Sequence, residues 1–559
     1  FISLLSVDKK DILYVYLYAI VTGLVTLTLP LGIQAIFNNI MGGQLSTSWI
    51  VLIIIVIIGT AMAGFLQILQ LSIIETLQQR IFTRASLEFA FRIPRLKIES
   101  LSKYYPPELI NRFFDVMTIQ KGISKILMDF TTAALQIIFG LLLLAFYHPF
   151  FVFFGLFLLF FLIAIFYFTG PPGLKTSLKE SDFKYRVAHW LEELARTIST
   201  FKLAGNIRLP LVKANYLLKQ SIIAGTKHFR ILILQYANSI VFKKIVTAGL
   251  LIIGSVLVVE REISPGQFVA SEIIIILIIN SVEKLIMSME TIYDVLTGTA
   301  KISKVTDIPL ERENGIKSSL IADDVCIKLK DLCFKTTEGK AILKNVSLEL
   351  SSKKHLAVTG SGGSGKTSLL NVMAGLYTGF TGSYRVNDIP FQNINLGDYR
   401  SLMGDNLSQE EIFEGSMIEN LCMRNPKIQF PEIQRTCELI KLSDFINNLP
   451  NAFETHLNPN DSRLPSSIKQ KIILARCLVH QPRIVFMDGF LPTVNKSERQ
   501  EILDNLFTKT EGGIVIATNS RLVAEKCDNI IVLDKGEVVA EGTYEQVKDN
   551  DNFKSSLSE

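Results

Sequence analysis

The chain has 559 residues, enough for several domains of about 100–200 residues each, so a single small enzyme or small binding module is excluded. Its formal net charge is only +5, and no basic tail concentrates it, which argues against nucleic-acid binding. Charged residues make up 19% of the chain, against about 25% in soluble proteins, and the mean hydropathy is +0.35. This composition predicts that much of the chain lies in a membrane.

Six apolar runs in the first half are long enough to cross a bilayer as helices, because about 20 helical residues span about 30 Å of hydrocarbon. These runs are Ile12–Ile36, Trp49–Leu71, Met128–Phe146, Phe150–Phe168, Ile231–Val259 and Phe268–Met289. The third and fourth are separated only by Tyr147-His148-Pro149, which predicts a tight hairpin. A membrane domain is therefore predicted over residues 1–306.

The distribution of basic residues predicts the orientation of these runs. Two long polar stretches, between runs two and three and between runs four and five, are rich in lysine and arginine, whereas the opposite loops hold only Arg261. By the positive-inside rule, both stretches and both termini are expected in the cytosol. Residues 1–10 are expected to lie along the inner membrane surface. The chain begins at Phe1 rather than at methionine, which leaves open whether a segment precedes it.

The composition changes after Leu310, where the apolar runs end. Glu311–Gly315 is predicted as a solvated part of a linker over residues 307–324, followed by a second domain over residues 325–559. Short apolar strands alternate there with helical segments, which predicts an α/β domain with a largely parallel sheet. The predicted buried strands are His355–Thr359, Ile484–Met487 and Gly513–Ala517. The turn Asp534-Lys535-Gly536 predicts an antiparallel hairpin near the end.

The strongest motif in the chain follows the first of these strands and opens a helix. It reads Gly360-Ser361-Gly362-Gly363-Ser364-Gly365-Lys366-Thr367, with Ser368 next, and fits G-x-x-x-x-G-K-T. Its glycines let backbone N–H groups surround a phosphate, while Lys366 reaches the terminal phosphates and Thr367 offers a hydroxyl to Mg²⁺. Asp488 ends a second apolar strand, where the other Mg²⁺-organising carboxylate belongs. The sequence therefore predicts an ATP and Mg²⁺ site.

Apolar spans with long cytosolic extensions, followed by a P-loop domain, resemble a half-transporter of the ABC exporter type. The resemblance covers nearly the whole chain and is strongest to the hemolysin-type and peptide-exporting branch of type I secretion. It implies an all-α membrane domain of six helices fused to a C-terminal α/β P-loop ATPase domain in the bacterial inner (plasma) membrane. It also implies a second half-transporter as partner, either identical or different, with each ATP completed by the partner's signature loop.

Several positions depart from the motifs of this family. The signature loop corresponds to Leu464-Pro465-Ser466-Ser467-Ile468, which keeps only the leucine, and Pro465 also lacks a backbone donor. The family's hydrolytic carboxylate is replaced by Gly489, and its switch histidine by Asn519. The base-stacking aromatic position falls on Thr336, with Phe334 two residues earlier. The glutamine-loop residue is either Gln409, displaced by one place, or absent.

These departures remove the general base and alter the loop that closes the partner's site, while the phosphate cradle is intact. Losing a positioned base costs about 10²–10⁴-fold in rate. The resemblance therefore implies an ABC-type ATPase fold that binds ATP and hydrolyses it weakly or not at all.

The last apolar run carries an acidic stripe. Glu272, Glu283 and Glu290 lie within about 20° of one another on a helix, and Asn280 lies about 80° away. Ionisable groups in membrane helices usually face a protein interior or a wet cavity. The stripe therefore either lines a translocation cavity for a cationic or mixed-polarity substrate, or packs against a partner with its acids paired to lysines.

Two functions remain open from the sequence. In the first, the chain is half of an exporter, and ATP-driven closure of the paired cassettes moves substrate across the membrane. In the second, it is a non-transporting ATP-binding sensor or scaffold in a secretion complex, with a periplasmic adaptor as its partner. In both, membrane lipid surrounds the first half of the chain.

Overall fold

The computed structural model describes residues 8–42, 47–101, 106–205, 207–317, 324–407, 411–459 and 464–557. The chain divides into two compact units. The membrane unit comprises Phe1–Pro94 and Tyr104–Ile308, and the cassette unit comprises Arg95–Lys103 and Pro309–Glu559. The short stretch Arg95–Lys103, which the sequence places in the membrane domain, thus belongs to the cassette unit.

The membrane unit is built from long helices, as predicted. Its described helices are α1 (Lys9–Thr26), α2 (Thr28–Met41), α3 (Thr47–Arg92), α5 (Pro106–Asn111), α6 (Phe114–Lys125), α7 (Thr131–Ala145), α8 (Pro149–Arg196), α9 (Ile198–Leu203), α10 (Leu209–Val259) and α11 (Pro265–Thr306), with α4 (Ile98–Leu101) in the cassette unit. A π-helical turn, Ile126–Phe130, joins α6 to α7. The predicted continuation of the spans as long helices is seen most clearly in α8 and α10, which have 48 and 51 residues.

Local signals set where these helices begin. His148 caps α8 because its Nδ1 accepts a hydrogen bond from the Phe150 backbone N–H at 3.2 Å, and Pro149 occupies the first helical position. Ser264 and Gln267 form a reciprocal capping box at the start of α11. The tight hairpin predicted at residues 147–149 is present.

Within the described residues, five segments are long and apolar enough to cross a membrane. They are Lys9–Met41, Thr47–Arg95, Glu108–Ala145, Pro149–Arg196 and Leu209–Val259. The sixth predicted span, within α11, is not among them. This helix has a well-buried side, where Ile274, Ile275 and Ile278 pack with residues of α7, α8 and α10. A sixth crossing by α11 stays a prediction.

A buried polar contact joins α8, α10 and α11. Gln235 donates from Nε2 to the Tyr293 hydroxyl at 2.8 Å and to Thr169 Oγ1 at 2.9 Å. The Tyr293 hydroxyl donates to the Thr169 carbonyl at 3.3 Å. The ring of Tyr293 fills the space beside Gly173, where an added Cβ would lie 2.4 Å from Cζ. These hydrogen bonds give three buried polar side chains, Gln235, Thr169 and Tyr293, a hydrogen-bonding partner.

The described residues of the cassette unit form three sheets, with the following strands and helices. The strands are β1 (Cys326–Lys335), β2 (Ala341–Ser351), β3 (Leu356–Gly360), β4 (Phe380–Val386), β5 (Ile389–Pro390), β6 (Met403–Asn406), β7 (Gly415–Ser416), β8 (His456–Leu457), β9 (Ile484–Asp488), β10 (Gly513–Ala517), β11 (Asn529–Asp534) and β12 (Glu537–Gly542). The helices are α12 (Lys366–Met373), α13 (Leu396–Ser401), α14 (Met417–Cys422), α15 (Phe430–Leu439), α16 (Ser443–Asn447), α17 (Ser466–Leu478), α18 (Lys496–Lys509), α19 (Arg521–Ala524), α20 (Tyr544–Val547) and α21 (Asp551–Ser556).

The central sheet has the order β12-β11-β3-β10-β9-β6 and is parallel except for β12. Its strands are buried on both faces, since Val485 and Met487 of β9 face one hydrophobic cluster while Ile484 and Phe486 face the other. A largely parallel sheet and an antiparallel β11–β12 hairpin were both predicted, and both are confirmed. The other sheets are antiparallel, with the orders β2-β1-β4-β5 and β7-β8.

The predicted solvated segment Glu311–Gly315 is exposed at Glu313, Asn314 and Gly315, but Glu311 and Arg312 are partly buried, so the prediction is wrong for these two residues. Glu311 forms a two-pronged ion pair with Arg400, and its side chain is only 12% exposed. Arg312 donates to the backbone carbonyls of Phe391 and Gln392, and its guanidinium lies 5.3 Å from the Phe391 ring centroid. These residues therefore fasten the start of the cassette to α13 and to the turn before it. Much of the remaining linker, residues 318–323, lies outside the described residues.

The stretch Arg95–Lys103 is held to the cassette by backbone and side-chain contacts. Lys97 donates its backbone N–H to the Pro309 carbonyl at 3.1 Å. The Glu99 carboxylate accepts hydrogen bonds from the backbone N–H groups of Thr378 and Gly379, the latter at 2.7 Å. Thr378 and Gly379 lie in the loop between α12 and β4, so this stretch contacts the segment that follows the P-loop helix.

Candidate nucleotide site

The P-loop, residues 360–367, lies where the sequence predicts it, between β3 and α12. Gly360 adopts φ +146°, and a Cβ at this position would lie 2.2 Å from the Leu533 carbonyl oxygen, so only glycine fits. Added Cβ atoms at Gly362 and Gly363 would meet nothing within 4 Å. The loop is thus tightly held against β11 at its base and open at its tip, where a phosphate can approach the backbone.

The side chain of Lys366 contacts the backbone of the P-loop. Its ammonium donates to the carbonyls of Gly360 at 2.6 Å and Ser361 at 3.0 Å. Burial lowers the pKa of Lys366, and the carboxylate of Asp488 opposes that shift. A bound phosphate would supply the strong counter-charge that the two neutral carbonyls lack.

Thr367 and Asp488 are joined by a hydrogen bond from Thr367 Oγ1 to Asp488 Oδ2 at 2.8 Å. These two residues are 121 positions apart in sequence, and the fold brings them together because Asp488 ends β9 at the edge where β3 enters the P-loop. A hydroxyl and a carboxylate are oxygen ligands of the type Mg²⁺ prefers. The pair therefore fits the predicted metal role.

Gly489 and Asn519, two positions where the sequence departs from a hydrolytic site, follow the neighbouring parallel strands β9 and β10. Gly489 directly follows Asp488, and its backbone N–H donates to Ala517, two residues before Asn519, at 2.9 Å. Gly489 adopts φ +83°, and an added Cβ there would meet nothing within 4 Å. A side chain would have room at this position but would strain the backbone.

The signature segment forms the start of α17. Pro465 precedes the helix, and its carbonyl accepts hydrogen bonds from the N–H groups of Ile468 at 3.0 Å and Lys469 at 3.1 Å. Leu464 and Ile468 are partly buried against the neighbouring hydrophobic cluster. In the described part of the cassette, no hydrogen bond joins this segment to the P-loop. Gln409 lies outside the described residues.

The contact between the P-loop and the β11–β12 turn was not predicted. Gly536, in the β11–β12 turn, donates its N–H to the Ser364 carbonyl at 3.0 Å and accepts from the Lys344 N–H at 2.8 Å. The turn signal at residues 534–536 predicts the hairpin but says nothing about its neighbour. Only the parallel pairing of β11 with β3, which aligns Leu533 with Gly360, places it beside the P-loop.

The acidic stripe of α11 lies on a partly exposed face of the membrane unit. Glu272 and Glu283 are partly buried, whereas Asn280 and Glu290 are exposed. Glu283 lies 3.6 Å from the ammonium of Lys243 on α10. Asp294 continues the same face and is exposed, but it lies beyond the apolar run and was not predicted as part of the stripe.

A P-loop at the carboxyl edge of a parallel sheet, in a chain whose other half consists of long apolar helices, defines a multi-pass membrane protein with a nucleotide-binding cassette. Residues 12–282 match the family model of the ABC transporter transmembrane region, and residues 343–491 match that of the ABC transporter. The chain belongs to the ABC transporter family and is an exporter half-transporter. Its cassette implies ATP binding.

The chain is similar in sequence to proteins named for transport. The lactococcin-G-processing and transport ATP-binding protein LagD of Lactococcus lactis is 26% identical over 319 residues, which cover 57% of this chain. The match covers 45% of LagD, so the chain spans less than half the length of that relative. The lactococcin-A transport/processing protein LcnC of Lactococcus lactis is 22% identical over 100% of this chain and 78% of its own length.

A solved structure of a bacterial Atm1-family ABC exporter with ATP bound has the same fold. It superposes with a TM-score of 0.85 and covers 99% of this chain and 98% of its own, at 16% sequence identity. This likeness confirms the predicted fold class, an all-α transmembrane domain followed by a cassette with β-sheets.

Proposed function

We propose that the chain is the ATP-binding half of a dimeric exporter in the bacterial inner membrane, with the cassette and both termini in the cytosol. ATP-driven closure of two cassettes is coupled to substrate movement, and the chain hydrolyses ATP weakly or not at all. The observation that carries this proposal is the phosphate and metal cradle of Lys366, Thr367 and Asp488 beside a glycine at position 489.

The cradle supports binding of ATP with Mg²⁺. Backbone N–H groups of the P-loop and Lys366 would hold the phosphates, and Thr367 with Asp488 would hold the metal. Mg²⁺ bound there would neutralise phosphate charge. The open space at Gly362 and Gly363 fits a phosphate against the backbone.

Weak hydrolysis follows from the residue at position 489. Glycine has no group to accept a proton from an attacking water, and a positioned general base contributes about 10²–10⁴-fold to rate. Asn519 stands where the family has a histidine, and Leu464–Ile468 lacks the glycines that allow close approach to a phosphate. In a pair of identical chains both sites carry all these changes. With a different partner, each composite site carries some of them.

We further propose that the stripe of Glu272, Asn280 and Glu283 lines a cavity for a cationic or mixed-polarity substrate. Charge complementarity supports this choice, because the same face of α11 continues through Glu290 and Asp294. The relatives LagD and LcnC are named for lactococcin transport, which favours an exporter of peptides over a non-transporting sensor or scaffold.

The nucleotide part of the proposal is tested by binding of a fluorescent ATP analogue to the full chain in lipid nanodiscs. We expect saturable, Mg²⁺-dependent binding that Lys366→Ala abolishes and that Asp488→Asn makes insensitive to Mg²⁺. Equal binding by the wild type and Lys366→Ala would contradict it.

The substrate part is tested by measuring equilibrium binding of candidate cationic peptides to the full chain in nanodiscs, because a chain with little ATP turnover gives no steady transport signal. We expect weaker binding to Glu283→Gln than to the wild type, while Glu260→Gln, which changes an exposed acid outside the stripe, behaves as the wild type. Unchanged binding by Glu283→Gln would contradict a role for the stripe.

A further inference from the structure

Charged side chains are rare in the apolar runs of the membrane unit, and most of them lie at one level. The six predicted runs contain only six aspartate, glutamate, lysine or arginine residues, namely Asp129, Lys243, Lys244, Glu272, Glu283 and Lys284. Four of these form adjacent pairs, Lys243 with Lys244 on α10 and Glu283 with Lys284 on α11. The contact of 3.6 Å between the Lys243 ammonium and the Glu283 carboxylate places the two pairs at the same level. We call these four residues the lysine layer.

The lysine layer lies near the middle of the predicted membrane crossing. Phe242, the residue before Lys243, stacks on Phe161 of α8 with ring centroids 5.2 Å apart. Phe161 lies about 18 Å along α8 from Pro149, where that helix begins, at a rise of about 1.5 Å per residue. Since the hydrocarbon core of a bilayer is about 30 Å thick, the layer is far from both membrane surfaces. A lysine side chain is too short to bring its ammonium to either surface from this depth.

The charges of the lysine layer do not cancel. Its three lysines and one glutamate leave a net charge of +2, and Glu283 is paired with Lys243. Within the part of the chain that the structure describes, Lys244 and Lys284 have no ion-pair partner, and both residues are exposed on the surface of the membrane unit. An unpaired ammonium is costly in hydrocarbon, so these two lysines favour a position that faces water or a negative charge.

The exposed face of α11 at this level is continuous with the acidic stripe. Ile276, Asn280 and Lys284 are exposed and follow one another at intervals of about one turn. Glu272 lies towards one end of this face, and Glu290 lies towards the other. A cavity lined by this face would offer acids at its two ends and an excess of positive charge between them. A purely cationic substrate would therefore meet like charge in the middle.

We propose that the lysine layer binds an anionic group of the transported molecule, which is therefore of mixed polarity. The inference rests on the proposed substrate cavity and narrows its substrate class, because a purely cationic substrate no longer fits. Lys244 and Lys284 offer ammonium groups, and Asn280 offers amide N–H donors, all of which a carboxylate can accept. A lipid headgroup carries the same charge, but the relatives LagD and LcnC are named for lactococcin transport, which favours the carboxylate of a peptide.

Charged thiol reagents test the sign of the charge and the access of water at the lysine layer. Lys244→Cys, in the full chain in phosphatidylcholine nanodiscs, is labelled with anionic methanethiosulfonate ethylsulfonate or with cationic methanethiosulfonate ethyltrimethylammonium. Labelling of the wild type, whose six cysteines lie in the cassette, is subtracted. We expect the anionic reagent to react about tenfold faster, relative to the rates with free cysteine, because the three remaining charges sum to one positive charge. Adding Lys284→Gln removes that charge, and the ratio should fall to about one.

Ile276→Cys is the matched control, because it lies on the same exposed face but one turn from Glu272. It should be labelled without preference for the anionic reagent. Labelling of Ile276→Cys but not of Lys244→Cys would show that Lys244 faces lipid, and would overturn the inference while leaving the cavity in place. A cationic reagent that reacts as fast or faster at Lys244→Cys would also overturn it. No labelling at either position would overturn the proposed cavity itself.

Protection from labelling identifies the source of the anionic group. Met287→Cys is suitable because Met287 is exposed one turn from Lys284 and the lysine layer stays intact. The probes are one glycine- and lysine-rich peptide, with either a free C-terminal carboxylate or a C-terminal amide, and nanodiscs made with phosphatidylglycerol. We expect the carboxylate form to slow labelling more than the amide form does, and Lys244→Gln to remove that difference. Slowing by phosphatidylglycerol alone, or equal rates under all conditions, would overturn the assignment to a peptide carboxylate.

Discussion

Gly489→Glu tests whether the missing carboxylate limits ATP hydrolysis by this cassette. The structure gives the space available to a side chain at position 489 and the backbone φ there. The site has room, because an added Cβ at position 489 would meet no atom within 4 Å. The backbone is unfavourable, because φ is +83°, a left-handed conformation that costs residues with a Cβ about 1–2 kcal/mol. We therefore expect a folded variant whose cassette is destabilised by about that amount.

Gly489→Gln is the matched control, because it carries the same backbone strain and nearly the same bulk but cannot act as a base. A positioned base contributes about 10²–10⁴-fold to rate. Since Asn519 and Leu464–Ile468 are unchanged, we expect the glutamate variant to exceed the glutamine variant near the lower end of that range. The assay is steady-state phosphate release in nanodiscs, with thermal denaturation of the same samples.

Equal turnover in the glutamate and glutamine variants would refute the idea that a base at this position limits the reaction. A wild type faster than both variants would show that the protein already has a base elsewhere. Loss of folding in both variants would instead show that the strain at position 489 exceeds the value expected from its φ.

Three further predictions concern stability, and each is checked by thermal denaturation. Burial lowers the pKa of His355, opposed by Asp528, so the unfolded chain takes up a proton that the folded cassette excludes. The free energy of unfolding should therefore fall as the pH drops below about 6.5, by up to about 1.4 kcal/mol per pH unit. His355→Asn should lose this dependence, whereas a change at the exposed His456 should keep it. Glu311→Gln should destabilise the cassette by about 1.5–3 kcal/mol, because Arg400 loses a charged partner; an unchanged midpoint would contradict this. Tyr293→Phe should cost the membrane unit about 1 kcal/mol by removing one buried hydroxyl, and a more stable variant would be the opposite result.

The sequence predicts the chemistry of the nucleotide cradle because a short motif carries it. Lys366 and Thr367 follow an apolar strand, and Asp488 ends another, so their meeting follows from the rule that parallel strands end at one edge. The predicted strand Gly513–Ala517 has the bounds of β10.

Contacts between distant segments could not be predicted in this way. Glu311–Gly315 is polar in composition, which is typical of a linker, but Arg400, 89 residues further along, forms an ion pair with Glu311 and leaves its side chain only 12% exposed. Similarly, nothing local indicates that Glu99 caps the backbone of Thr378 and Gly379. In both cases the pairing depends on tertiary structure, which a local pattern does not contain.

For the stripe in α11, helical periodicity predicts which residues share one side of the helix but not what that side faces. A helical period of about 3.6 residues places Glu272, Glu283 and Glu290 on one side. It does not tell whether that side faces lipid, a partner or a cavity, and Asp294 was missed because the apolar run had ended. The pairing of Lys243 with Glu283 comes from the neighbouring helix.

The central claim, that this chain binds ATP but hydrolyses it weakly or not at all, is tested most directly by measuring both properties on one sample. Purified protein in lipid is assayed for ATP binding and for steady-state phosphate release, beside Lys366→Ala. The account predicts binding that depends on Lys366, with little or no turnover above that variant. Turnover that depends on Lys366 and matches that of an ordinary exporter would contradict it, and would show that a residue other than Gly489 supplies the base.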